Sequence, residues 1–248
     1  MNIGNLLGAM LQSGMAPSSK KRLENAFGDD KDSLLEGLMG QRSGGMAGML
    51  GQILSKAGHA AGGQQNLALG GLGALAGALL GGGRRSAGGA LGGGAMALLG
   101  AMAFKALQGA RQGSGKVPLG LMEPRTEDEK QQLEQQEELV LRAMINAAKS
   151  DGQIDEKEID RIVGKLGEMG SDADDQRYVM TQMQKPMETD TLIFAARGEP
   201  ELAAEIYAAS LLAVEVDTQA EKNYLTDLAA GLELTPDVTR AIEQMVGM

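Results

Sequence analysis

The sequence predicts an all-α protein in two unlike halves. The C-terminal half should be a compact helical bundle of two pseudo-repeated helical hairpins. The N-terminal half should be a glycine-zipper, membrane-associating region with short amphipathic helices. Three observations lead to this reading. After Thr126 the apolar residues recur at helical intervals, and no stretch alternates as a half-buried strand would. Charge divides along the chain: residues 1–122 hold 11 Lys+Arg and 5 Asp+Glu, a net of +6, while residues 123–248 hold 12 and 28, a net of −16. Glycine divides the same way, with 28 of the 37 lying before residue 114. Such asymmetry argues for two physical environments, the basic part suiting an anionic lipid surface and the acidic part being repelled by it.

Residues 1–65 read as a flexible region carrying two short amphipathic helices. Leu6, Leu7, Met10 and Leu11 form one helical set, and Leu34, Leu35, Leu38 and Met39 another. Either could lie on a membrane or pack on a partner. Residues 66–111 read as an apolar hairpin. Two uncharged runs of 17 and 19 residues, 67–83 and 86–104, are divided by Arg84 and Arg85. Those lengths are near the lower end of what spans hydrocarbon. Gly73, Gly77 and Gly81 fall at four-residue intervals, and Gly89, Gly93, Ala97 and Ala101 continue the interval in the second run. On a helix this spacing gathers the small residues on one face, where backbones approach closely and chains self-associate. Glycine disfavours helix by roughly 1 kcal/mol relative to Ala, which leaves a low-complexity linker as the competing reading. Leucines at helical intervals argue against that linker. A hairpin with Arg84-Arg85 at its tip would keep both flanks on one side, and the more numerous flanking Lys and Arg favour the cytoplasm. A single crossing would place the two halves on opposite sides.

Residues 112–125, with Gly113, Gly115, Pro118, Gly120 and Pro124, read as a linker. The acidic all-helical domain then occupies 126–248. Thr126 and Glu129 have capping-box spacing and open a helix over about 127–149. Further helices are expected near 155–169, 172–185, 187–196, 199–215, 218–233 and 236–246. Thr235-Pro236 opens the last, with the hydroxyl as cap and proline in the first helical position. An offset of 66 relates Ala143, Ala147, Asp151, Asp155, Ile159, Ile162 and Leu166 to Ala209, Ala213, Asp217, Glu221, Leu225, Leu228 and Leu232. In each copy a small-residue helix ends, an acidic turn follows, and an amphipathic helix begins.

The stretch Ala147-Ala148-Lys149-Ser150-Asp151-Gly152-Gln153-Ile154-Asp155-Glu156-Lys157-Glu158 resembles the signature of TerB-like domains, named after tellurite-resistance proteins. Val216-Asp217-Thr218-Gln219-Ala220-Glu221-Lys222-Asn223-Tyr224-Leu225 is similar to the same family. A glycine-rich half ahead of such a domain resembles the YebE-like group of bacterial inner-membrane proteins. The resemblance implies an all-α domain, an envelope or stress setting, possible divalent-metal binding, and no established catalysis.

The acidic turns admit two readings. Asp151-Gly152 with Asp155 and Glu158 matches the second half of an EF-hand loop, but Ala147 and Lys149 stand at the earlier ligand positions. A divalent cation such as Ca²⁺ would then need Asp151, Asp155 and Glu158 to converge with Asp217 and Glu221. The other reading is helix capping alone, since Asp155/Glu158 and Thr218/Glu221 both have capping-box spacing.

Composition narrows the function classes. There is no Cys and a single His, His59, so thiol chemistry, Cys-ligated zinc and Ser-His-Asp catalysis have almost no material. No nucleophile motif, phosphate loop or dinucleotide fingerprint is visible. Catalytic residues are therefore not expected. Three Phe, three Tyr and no Trp, with scattered basic residues, argue against nucleic acid. The expectation is a non-enzymatic, membrane-tethered interaction or scaffold protein at the bacterial inner membrane. Its partners would be lipid, further copies of itself and an unidentified protein. The alternative is a peripheral or soluble cation-responsive protein whose glycine-rich half self-associates without spanning.

Overall fold

A computed structural model describes residues 3–13, 21–22, 25, 90–122, 124–152, 156–168 and 170–248. Among them are nine α-helices and no strand. They are α1 (Ile3–Ser13), α2 (Ala90–Ala110), α3 (Glu127–Ala148), α4 (Glu156–Glu168), α5 (Ala173–Gln184), α6 (Thr189–Ala195), α7 (Pro200–Ala213), α8 (Gln219–Gly231) and α9 (Pro236–Met245). The chain divides into two units, one of Met1–Ala26 with Leu91–Met248 and one of Phe27–Ala90. Apart from Ala90, every described residue belongs to the first unit. The apolar set at Leu34–Met39 and the zipper positions Gly73, Gly77, Gly81 and Gly89 lie outside the described residues.

The unit is built around α7. Its sequence is apolar on every side apart from two acids and one serine, and every residue from Glu201 to Ala213 is buried. A helix apolar all round belongs in the middle of a fold. Pro200 starts it with no amide hydrogen to leave unpaired. α3 packs along it, and the Ser210 hydroxyl donates to the Ala143 carbonyl at 3.5 Å. Alanines are buried on both helices, Ala143 and Ala147 on α3 and Ala203, Ala204, Ala208 and Ala209 on α7, and small residues permit close helix approach. Caps fix the helix starts. Thr126 and Glu129 close a capping box on α3, and Thr218 and Glu221 close another on α8. Leu225 and Leu228 on α8 and Leu232 at its C-terminal cap are buried, as are Ile159, Ile162 and Leu166 on α4.

Three expectations need correction. The Thr235 hydroxyl makes no cap bond. Instead the Thr235 N–H donates to Gln112 Oε1 at 2.9 Å, and Pro236 alone marks the start of α9. α1 is part of the compact unit: Leu6, Leu7, Met10 and Leu11 are buried, and the helix packs on α3 and α4. Its apolar stripe finds a protein surface within its own chain. The third concerns the second apolar run. Residues 90–110 form α2, whose Met96, Leu99, Met102, Ala103, Ala106 and Leu107 enter the same core as α3 and α7. Of the small residues expected on a self-association face, Ala97 is buried and Ala101 half-buried in this unit, and Gly93 lies in the first turns of α2. The division between units therefore falls near residue 90, and residues 112–122 lie inside the first unit. Alternating Leu/Met and Gly/Ala suits a crowded core as well as it suits lipid. Among the described residues, no helix is long and apolar enough to cross a membrane.

Candidate functional site: the acidic turns and the core carboxylates

Of the five acids expected to gather a cation, three can be followed completely, Asp151, Asp217 and Glu221. Asp151 is exposed in the turn after α3, beside Gly152 at φ 145, a backbone setting that L side chains rarely adopt. Asp217 is exposed in the turn after α7. Asp155 lies outside the described residues, and Glu158 sits in the first turn of α4, its side chain outside the described set. Among the described residues, no three His, Asp or Glu side chains group as metal ligands would.

Glu221 is committed elsewhere. Its carboxylate accepts from the N–H groups of Glu215 (3.3 Å), Asp217 (3.1 Å) and Thr218 (3.0 Å), and from the Thr218 hydroxyl (2.9 Å). Burial pushes the Glu221 carboxyl up, but these donors, led by the Thr218 N–H, outweigh it and hold the group below the usual carboxylate range. The same turn holds Val216 at φ 59, strained for a β-branched residue.

Arg22 anchors the other side of this turn. Its guanidinium donates to the carbonyls of Leu211, Val214 and Glu215, each at 2.6 Å. These are the last, otherwise unpaired carbonyls of α7 and the start of the turn. A buried cation at a helix C-terminus also meets the negative end of the helix dipole. Burial lowers the Arg22 pKa, and Glu221 and Glu215 oppose that shift. Asn25 extends the strap by donating to the Val246 carbonyl at 3.2 Å. Lys149 plays a comparable part on the other side of the fold: its ammonium donates to the Gln182 (2.6 Å) and Lys185 (2.9 Å) carbonyls where α5 ends.

A second carboxylate pair lies in the core. Glu201 and Glu205 stand one helical turn apart on α7. Glu201 Oε1 accepts from the Ser114 N–H at 3.0 Å and the Ser114 hydroxyl at 2.7 Å, while its Oε2 is buried without a partner. Glu205 is 1% exposed, and neither of its oxygens has a partner. Burial, reinforced by Glu201, pushes the Glu205 carboxyl up to about 8. Opposite it stands Gly100 of α2. A Cβ added there would lie 3.2 Å from Glu205 Oε1, 3.1 Å from Pro118 Cβ and 3.3 Å from Leu121 Cγ. The 113–121 segment thus wraps α2 onto α7. At Gly120 an added Cβ would sit 2.6 Å from the Met96 carbonyl oxygen, which explains glycine at that contact.

Sequence reasoning missed Arg22, Lys149, Glu201 and Glu205. Glu205 did leave a signal, a lone acid inside the uncharged stretch 202–214. Arg22, in a short basic cluster with Lys20 and Lys21, left none.

This arrangement of short helices around a buried alanine-rich helix extends through the region that matches a known family. Residues 62–246 match the family described as protein of unknown function DUF533. The chain belongs to the DUF533 family. It is also 31% identical over 112 residues to an uncharacterized protein of Yersinia enterocolitica encoded in the region 5′ of ampR, covering 45% of this chain and 80% of that protein. No solved structure matches. The DUF533 match begins inside the glycine-rich half and takes in α2 through α9, so the family unit includes α2 as well as the acidic domain.

Proposed function

We propose that this DUF533 protein is a non-enzymatic helical scaffold that holds its glycine-rich segment 27–90 against the surface of a membrane. The observation that carries the reading is the composition of the compact unit, which takes in Met1–Ala26 and Leu91–Met248. One folded body cannot have its pieces on opposite sides of a bilayer, so residues 27–90 must leave and return on the same face. A single-crossing tether is incompatible with that parity. Two crossings would require about 40 apolar residues, and with α2 in the core only 67–83 keeps an uncharged run of near-spanning length. Peripheral or re-entrant association is the reading that remains.

Charge supports it. Residues 43–90 contain Lys56, Arg84 and Arg85 and no acid. The body, residues 1–26 with 91–248, holds 18 Lys+Arg and 29 Asp+Glu, a net of −11. An anionic leaflet attracts the first and repels the second. The TerB-like and YebE-like resemblances, with their bacterial inner-membrane and stress setting, belong to the same proposal, as does a Ca²⁺-type cation at Asp151, Asp155 and Glu158. Self-association through Gly73, Gly77 and Gly81 would reinforce surface binding by adding contacts per assembly.

The chain has no cysteine, which makes topology mapping direct. Single cysteines at Asn2→Cys and Met248→Cys should react with an impermeant maleimide from the same side of sealed vesicles. Replacing 27–90 by a short polar linker should release the protein from the membrane fraction while its helical circular dichroism persists. Labelling from opposite sides, or membrane association that survives the replacement, would overturn the proposal.

A further inference from the structure

We propose that Glu201 and Glu205 form a proton-held latch that fastens α2 and the 113–121 segment onto α7, and that the latch loosens as pH rises. Among the described residues, three buried carboxylate oxygens, Glu201 Oε2 and both oxygens of Glu205, have no hydrogen-bond partner. Two such groups one helical turn apart cannot both be ionised without repelling each other in a poorly screened place. A single proton removes the conflict by neutralising Glu205. Among the described residues no cation is at hand to do the same. Lys105 on α2, Arg111 after it and Lys116 in the wrapping segment are all exposed, and Glu201 is the charge that acts on Glu205. The wrapping segment contributes Ser114, whose two bonds go to Glu201 Oε1 and leave Glu205 unserved. Gly100 also comes close to Glu205 Oε1, and the other near neighbours of Gly100 there are the apolar Pro118 and Leu121. A charged Glu205 can be hydrated only if α2 or the wrapping segment lifts away.

The consequence is regulatory. α2 is joined directly in sequence to the 27–90 segment that the proposed function places at the membrane, so the latch couples pH to the point where that segment is attached. Only that consequence rests on the membrane reading; the latch itself does not.

Hydrogen exchange of the full chain tests it. After correction for intrinsic exchange rates, the opening of residues 95–107 should rise by about tenfold per pH unit between pH 5 and 8 and level off above. Residues 140–147 of α3 should respond less. Glu205→Gln, which keeps the shape and removes the proton, should flatten the profile of 95–107. A flat profile in the unmodified protein, or an unchanged slope in Glu205→Gln, would overturn the latch. Should the variant fail to fold, a carboxyl-¹³C titration of Glu205 in the unmodified chain decides. Titration in the neutral range supports the latch, and titration in the ordinary carboxylate range refutes it. Restoration of protection at pH 8 by millimolar Ca²⁺ or Mg²⁺ would also refute it, by assigning the pair to a cation.

Discussion

Two carboxylates on neighbouring helices are both withdrawn from water, and they reach opposite electrical states. Glu221, at the start of α8, faces three backbone N–H groups and a hydroxyl and stays ionised. Glu205, in the middle of α7, faces Gly100 of α2, finds no hydrogen-bond donor among the described residues, and holds its proton toward pH 8. Burial is common to both. What separates them is backbone supply: a turn offers free amides, whereas in a helix interior every amide is already spent on the carbonyl four residues back. An acid at a helix start is structural by default, and an acid in the middle of a buried helix is an ionisation problem that the fold must manage.

The sharpest way to break this contrast is to remove the served carboxylate. Glu221→Ala strands three amides and takes a counter-charge from Arg22, so it should destabilise the protein by about 3 kcal/mol at pH 7 in urea titrations. The folded pKa of Glu221 is lowered, so its contribution is present above the unfolded value near 4.5 and disappears as pH falls through the folded value. The gap between variant and parent should therefore shrink in acid. A loss below about 0.5 kcal/mol at pH 7 would mean that water serves those amides equally well.

Glu205→Gln should have a smaller effect of the opposite sign. The folded pKa is raised, so no penalty exists below about pH 4.5; it grows as pH rises and is complete above about 8. The variant should be less stable than the parent by about 2 kcal/mol near pH 4.5, where only its unpartnered amide counts, and more stable by about 2 kcal/mol at pH 8. Identical melting temperatures at both pH values would remove Glu205 from the account. Next in size is Arg22→Lys. An ammonium cannot present the planar fork that reaches three carbonyls, and the loss should be about 1.5 kcal/mol, read by the same urea titration. Equal stability would show that any cation caps α7.

Much of the fold was legible because its cues are local. Helix periodicity, the Thr126/Glu129 and Thr218/Glu221 boxes and Pro236 placed the helices of 126–248 to within about two residues, the ordinary uncertainty of helix ends. α2 was misplaced for a physical reason. Leu and Met at helical spacing among Gly and Ala describe a surface that wants apolar contact, and nothing in that pattern says whether lipid or α7 supplies it. Arg22 was illegible because its partners are carbonyls some 190 residues away, and carbonyls have no sequence signature.

The smallest effects are expected at the two exposed aspartates, and they separate the turns from each other. Asp151→Asn and Asp217→Asn should each change stability by less than about 0.5 kcal/mol, as surface substitutions usually do. Their value lies in cation titrations. In the second turn Glu221 already accepts four hydrogen bonds, so its carboxylate is not free to complete a ligand set with Asp217. Any Ca²⁺ binding by this protein should follow Asp151, Asp155 and Glu158, where Gly152 turns the chain sharply. Calorimetry on the full chain should therefore find binding lost in Asp151→Asn and unchanged in Asp217→Asn. Binding lost in Asp217→Asn would require Glu221 to release its amides for the cation, and the ion would then be built into the turn that Arg22 closes.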